Sequence, residues 1–378
     1  MQEKIRAYLA EEQPQTPVLV IDLDIVGTRF DKLRAALPDA DVFYAVKANP
    51  AQEILRLLVA RGASFDVASI GEIDLCLEAG AAPESLSYGN TIKKRSDVAY
   101  AYEKGVRLFA FDSESELDKL AEVAPGTDVF CRILTSNEGA DWPLSRKFGC
   151  DLDMAADLIV MASKLGLHPV GVSFHVGSQQ RNPSQWDAPL AQVAWLFDEL
   201  ADKSIELSLI NLGGGFPAIY RSSVPPIGAY GDAIRKSLNR HFHSRGRSPR
   251  IIAEPGRYLV ADAGVIASEV VLVAHKAYTD DKRWVFLDIG RFGGLAETEA
   301  EAITYMIDTP HDGGPTGPVV LAGPTCDSVD VMYENMEYHL PLALAEGDVV
   351  HILSAGAYTS TYASVGFNGF PPLRVVCL

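Results

Sequence analysis

Cysteine is scarce in this chain: five residues of 378, at positions 76, 131, 150, 326 and 377, odd in number and without a Cys-x-x-Cys pair. That pattern excludes a disulfide framework and a cysteine-based zinc site, and it fits a reducing compartment. No stretch approaches the ~20 consecutive apolar residues that a membrane-spanning helix requires. The opening MQEKIRAYLAEEQPQTP lacks the apolar core of a secretory signal, so a cytoplasmic protein is the expectation. Repeats of solenoid length and low-complexity tracts are also missing. Basic residues are outnumbered, 33 Lys and Arg against 50 Asp and Glu, for a formal charge of −17. The acids are scattered, which argues against a nucleic-acid partner and is compatible with a cationic small-molecule substrate.

What the chain does contain is apolar bulk: 48% of its residues are hydrophobic, enough for a large core and for two domains. From about residue 40, β-rich runs alternate with amphipathic segments. The runs are DVFYAV (41–46), SFDVA (64–68), SLSYG (85–89), RLFAF (107–111), DVFCRIL (128–134), VGVSFHV (170–176), SLINLG (208–213) and RIIAE (250–254). Helical patterns cover 51–62, 70–80, 113–124, 152–166 and 185–203, several of them closed by Gly. Eight such strands predict an α/β fold, a (β/α)8 TIM-like barrel over 23–260. Beyond it, 258–277, 283–290, 318–323 and 348–356 are β-branched with little helix between them, which predicts a second, mainly antiparallel β-domain over 261–378. Residues 1–22, with the strand-like PVLVID, are expected to pack with that second domain.

In a barrel of this kind, chemistry gathers where the strands end and the βα loops converge. Lys47 follows the first strand, Asp66 sits near the end of the second, Arg132 late in the fifth and His175 at the end of the sixth. Gly213, Gly214 and Gly215 close the seventh and Glu254 the eighth. A desolvated lysine amine can condense with an aldehyde, although a lysine at a strand end is more often a surface residue. His175 is followed by Gly177 and Ser178, small enough to admit a phosphate, but a lone histidine is commonly a satisfied core residue. A glycine run can be a mere tight turn or a cradle of backbone N–H groups. Glu254 reads either as half of an internal ion pair with Arg257 or as a carboxylate that keeps a pyridine nitrogen protonated. In the second domain Cys326 and Asp327 stand side by side in GPTCDSVD, and a glycine-rich stretch holds Tyr358 and FNGF.

Taken together, FYAVKANP, SFDVASIGEI, FHVGSQ, NLGGGFP, AEPGRY, GPTCDSVD, GAYT and FNGF occur in an order that resembles the pyridoxal phosphate dependent decarboxylases of the alanine racemase barrel type. The likeness runs from about residue 16 to the C-terminus and is greatest to ornithine decarboxylases and bacterial lysine/ornithine decarboxylases. The resemblance implies pyridoxal 5'-phosphate as cofactor, bound covalently by Lys47, with Asp66 and Glu72 near that lysine. His175 would stack on the cofactor ring, supported by Arg132, and Glu254 would pair with the ring nitrogen. Ser178, Gly213, Gly214, Gly215, Gly256, Arg257 and Tyr358 would hold the phosphate. It further implies a homodimer with shared sites, in which Cys326 of one chain returns a proton to the substrate carbon and Asp327 binds the distal ammonium.

The implied reaction is ornithine to putrescine, a step of polyamine biosynthesis, with lysine to cadaverine second. Glu297 and Glu301 are equal candidates for a further contact to the distal amine, at a place where the family has an aspartate. Diaminopimelate decarboxylases share the cofactor motifs but carry Glu after the cysteine, where Asp327 stands. A racemase would need a tyrosine base in the place of Cys326, and a non-catalytic regulatory relative would not need to retain Lys47, His175, Glu254, Arg257 and Cys326 together.

Overall fold

The computed structural model describes residues 2–136, 138–142 and 146–378. The chain divides into two compact units: a barrel unit of 27–217 and 224–256, and a sheet unit of 1–26, 218–223 and 257–378. The divisions fall at 26/27 and 256/257, where the sequence reading set 22/23 and 260/261, and the short segment 218–223 belongs with the sheet.

The barrel unit is a closed ring of eight parallel strands: Ala40–Ala45, Ser64–Val67, Leu86–Tyr88, Leu108–Phe111, Asp128–Arg132, His168–Ser173, Leu209–Asn211 and Arg250–Ala253, the last pairing with the first. Each lies within or beside one of the eight expected runs. Such strands are covered on both faces, so they read as continuous apolar runs rather than as an alternation. Phe43, Ala110, Phe130, Leu209 and Ile252, from five different strands, pack together as a filled interior layer. The expected helices appear as Gln52–Ala60, Ile70–Glu78, Glu114–Val123, Leu152–Lys164 and Asp187–Ala201. Three more, Leu23–Ala36, Arg95–Glu103 and Ile227–His241, were not read from the sequence, because their apolar positions are sparse and interrupted by charge. The fifth strand stops at Arg132, two residues early, where Ile133 leaves it to bridge with Cys150. That bridge brings the sulfurs of two cysteines distant in sequence, Cys131 and Cys150, to 3.6 Å.

In the sheet unit a nine-stranded sheet runs Ile307–Asp308, Val349–Ile352, Gly264–Ala274, Arg283–Leu287, Thr316–Ala322, Val331–Met332, with three further strands pairing beside this path. Val18–Ile21 is one of these, antiparallel to 264–267 and parallel to Arg374–Cys377. The pairings are mainly antiparallel; 283–286 with 319–322 is the other parallel one. The run expected as strand from 258 opens instead with helical turns over Arg257–Val260 and Ala261–Ala263, and the strand starts at Gly264. Its core includes Ile5, Val18, Val20, Val265 and Ala267, so the N-terminal helix Glu3–Glu12 is fixed to the sheet by Ile5. Among the described residues no helix is long and apolar enough to cross a membrane.

Candidate active site

Lys47 sits in a single helical turn, Val46–Ala48, directly after the first barrel strand. Its Nζ lies 3.4 Å from Asp66 Oδ2, with the lysine side chain 53% exposed and the aspartate 5%. Asp66 owes its position to a glycine: a Cβ on Gly89, at the end of the next strand, would stand 2.1 Å from Asp66 Oδ1. Glu72 is placed by a helix start. Ser69 caps the helix Ile70–Glu78 by accepting the Glu72 N–H at 3.3 Å, and the Glu72 carboxylate reaches back to the Ala68 N–H at 2.7 Å. Burial pushes Glu72 up to about 6, with Asp66 adding to the rise.

His175 follows the sixth strand and accepts the Gly177 N–H on Nδ1 at 3.0 Å. Burial holds its pKa well below 6.5, and the nearby cations Arg132 and Lys47 push the same way. The ring is therefore neutral at pH 7, with its proton on Nε2. Burial likewise lowers Arg132, against the pull of the carboxylates Glu254, Asp66 and Asp112. Its guanidinium lies 5.1 Å from the Phe148 ring centroid.

Gly213 and Gly215 have φ of +63° and +102°, values that side chains resist. A Cβ on Gly213 would meet the Phe174 carbonyl oxygen at 2.1 Å, and one on Gly214 would lie 2.7 Å from the Glu254 carbonyl and 3.2 Å from His175 Nε2. Glycine alone lets this backbone come so near the sixth and eighth strand ends. Glu254 is pushed up to about 7, first by burial and then by the Asp66 carboxylate. Against this rise, Asn211 donates from Nδ2 to Glu254 Oε1. The same side chain accepts the Gly213 N–H on Oδ1 at 2.9 Å. Asn211 is wholly buried and was not picked out from the sequence, although a side-chain amide between Ile210 and Leu212 in the run SLINLG was a visible signal.

A lysine amine, a buried carboxylate, a neutral imidazole and a glycine cradle thus meet on one face of one barrel, a donor set suited to an aldehyde-bearing aromatic phosphate. The sequence model for the pyridoxal-binding domain of pyridoxal-dependent decarboxylases matches residues 23–261. The chain belongs to this family. It is 36% identical to the lysine/ornithine decarboxylase of Selenomonas ruminantium over 371 residues, which cover 98% of this chain and 91% of that one. It is 34% identical to the ornithine decarboxylase of Schizosaccharomyces pombe over 98% of this chain and 85% of that protein. A lysine/ornithine decarboxylase of Vibrio vulnificus, solved with cadaverine, superposes with a TM-score of 0.89 at 31% identity, covering 100% of this chain and 99% of that one. The family's cofactor is pyridoxal 5'-phosphate, and the residues of the barrel mouth fit it.

Ser178 and Gly256 also lie in the barrel unit, and the remaining expected residues, Arg257, Glu297, Glu301, Cys326, Asp327 and Tyr358, lie in the sheet unit. Cys326 is exposed, and its backbone N–H donates to Asn368 Oδ1 at 2.8 Å, which ties the FNGF loop to the cysteine loop. Asp327 Oδ1 accepts the Val329 N–H at 3.0 Å. The loop is clamped by Asp330, 2% exposed, whose carboxylate accepts from the Arg291 N–H at 2.7 Å and from Thr325 Oγ1 at 2.5 Å. Gly290 and Gly323 leave the space it occupies. Asp330 had no assigned role in the sequence reading.

The two glutamates offered as equal candidates are not equal. Both oxygens of Glu297 accept from Arg257 at 2.7 Å, and both side chains are 3% exposed. Glu301, at φ +61°, accepts the Asn335 N–H on Oε1 at 2.7 Å and keeps its second oxygen for other partners. Tyr358, also left-handed at φ +55°, has its ring 4.8 Å from the Arg257 guanidinium carbon.

Proposed function

We propose that this protein removes the α-carboxyl group of a basic L-amino acid, ornithine ahead of lysine, to give putrescine or cadaverine with pyridoxal phosphate bound on Lys47. The observation that carries this reading is the pairing of Lys47 with Asp66 at the same barrel mouth as a buried Glu254 held by Asn211. Relatives named as ornithine and lysine/ornithine decarboxylases support the choice of substrate.

When bound, the cofactor supplies an electron sink for the pair of electrons left on Cα as carbon dioxide departs. Lys47 provides the amine that binds the cofactor aldehyde, and Asp66 beside it stabilises the cationic form of that nitrogen. Glu254 would hold a proton on the pyridine nitrogen, because a buried carboxylate is stabilised by an adjacent cation. His175, neutral, offers an uncharged ring face. Backbone N–H groups of Gly213–Gly215 and Gly256, with the hydroxyl of Ser178, would hold the phosphate.

Cys326 would return the proton to Cα and Asp327 would take the distal ammonium, with Glu301 rather than Glu297 as the second carboxylate. These two loop residues would serve the partner's barrel, so the active form is a homodimer. The exposure of Cys326 and of the apolar Val329 and Val365 supports a covered surface there. A kinetic panel of ornithine, lysine, arginine and meso-diaminopimelate tests the reading: kcat/KM is expected to be highest for ornithine and next for lysine. A preference for meso-diaminopimelate would refute it.

A further inference from the structure

Lys93 is a buried cation to which the proposed chemistry gives no task. It lies in the turn between the third barrel strand, Leu86–Tyr88, and the helix Arg95–Glu103, and its side chain has no exposed surface. Its ammonium meets three oxygens: the carbonyls of Asn90 and Ala110, each at 2.7 Å, and Glu116 Oε1 at 2.9 Å. Ala110 belongs to the fourth strand and Glu116 to the helix Glu114–Val123 behind it, so one side chain ties the third strand's turn to the next βα unit. Lys119 donates to the Lys93 carbonyl and pairs with Glu116 Oε2. Burial lowers Lys93 to about 8, with Glu116 opposing the fall. A buried ion pair is a poor source of net stability, because desolvation of both charges offsets their attraction. What this pair supplies is a fixed turn.

That turn backs Asp66. Gly89 donates its N–H to the Val67 carbonyl at 3.1 Å, and a Cβ on it would stand 2.1 Å from Asp66 Oδ1. Asn90 accepts the Ile92 N–H on Oδ1 at 3.3 Å, which closes the turn, and its Nδ2 faces the Ala68 carbonyl at 3.5 Å. The 89–93 backbone is the wall against which Asp66 rests while it reaches Lys47 Nζ at 3.4 Å. We propose that Lys93 is a positioning residue for the cofactor-bound nitrogen of Lys47: paired with Glu116, it fixes the 89–93 turn and through it the distance of Asp66 from that nitrogen. This rests on the reading of Lys47 given above.

An Asp66 that drifts away stabilises the cationic nitrogen less, so the nitrogen loses its proton at lower pH. The test is the pH midpoint of that loss, read from the absorbance of pyridoxal phosphate bound to the holoenzyme. Lys93→Met and Glu116→Gln are made together, since removing one charge alone strands the other, and circular dichroism checks that the variant is folded. Its midpoint is expected to fall by about one pH unit, a tenfold change in the ratio of the two forms. With Asp66→Asn also present the fall should be less than about 0.3 unit, as coupled neighbours are non-additive. A midpoint equal to the parent's, or an equal fall in both backgrounds, would overturn the proposal. Asn90→Ala loosens the same turn and leaves the ion pair in place, so it decides the matter if the paired variant does not fold. Its midpoint should fall by about 0.3 unit or more, a twofold change in that ratio, and an unmoved midpoint would refute the route through the turn. Bound-cofactor absorbance that survives Lys47→Ala unchanged would instead refute the reading of Lys47, and the inference with it.

Discussion

Glu254 offers a measurement of the electrostatics that the barrel mouth builds. Its pKa stands at about 7 against an ordinary 4.5, raised by burial and by Asp66. In the cofactor-free protein the folded state therefore prefers the neutral acid. The stability contributed by that preference is fully present below pH 4.5, where both states are protonated, and it is lost as pH rises through 7, because the unfolded chain releases the proton first. A displacement from 4.5 to about 7 corresponds to about 3 kcal/mol. Glu254→Gln removes the titrating group while its side-chain oxygen still accepts from Asn211. Urea unfolding of the cofactor-free proteins at pH 5 and pH 8, followed by circular dichroism and by the emission of buried Trp186 and its companions, reads the effect. The variant should gain on the parent by roughly 2.5 kcal/mol between the two pH values, because pH 5 already lies above the unfolded pKa, and it should also bind cofactor with a less protonated ring. Parallel stabilities across that range would show that Glu254 is not desolvated and would refute the account of the site.

Mixing inactive Lys47→Ala with slowed Cys326→Ala should raise activity to roughly a quarter of parental, since half of randomly formed dimers are mixed and each carries one intact site; activity no higher than that of the separate variants would remove the shared-site dimer. Cys326→Ala alone should slow turnover and divert product toward decarboxylation-dependent transamination, measured by aldehyde release, and an unaltered product ratio would strip Cys326 of its role as proton donor. Gly213→Ala should destabilise the barrel unit by about 1–3 kcal/mol from its left-handed backbone, with more from the clash at Phe174, and should weaken cofactor binding. A thermal midpoint equal to the parent's would contradict that geometry.

The barrel was legible because its strands are apolar on both faces and punctuated by glycine, so DVFYAV, RLFAF and RIIAE announced themselves without tertiary information. The residues at their ends were legible for the same reason: Lys47, Asp66, Arg132, His175 and Glu254 are polar breaks at the close of apolar runs. The helices Leu23–Ala36, Arg95–Glu103 and Ile227–His241 were hidden because their amphipathic pattern is diluted by charge. The short strands Ile307–Asp308, Val331–Met332 and His339–Pro341 were hidden because a two- or three-residue strand carries no period; only its partners define it.

The sequence by itself determined the repeating architecture and the set of groups delivered to the barrel mouth, since both follow from local hydrophobic period and from where that period stops. Only the tertiary structure decided how those groups are paired. Asn211 meets Glu254 across two strands, Asp330 fills the space left by Gly290 and Gly323, and Glu297 turns to Arg257 forty residues away rather than outward. Pairing of charges depends on distance in space and on burial, and neither is encoded in spacing along the chain. For that reason Glu297 and Glu301, chemically equivalent in the sequence, have different partners in the fold.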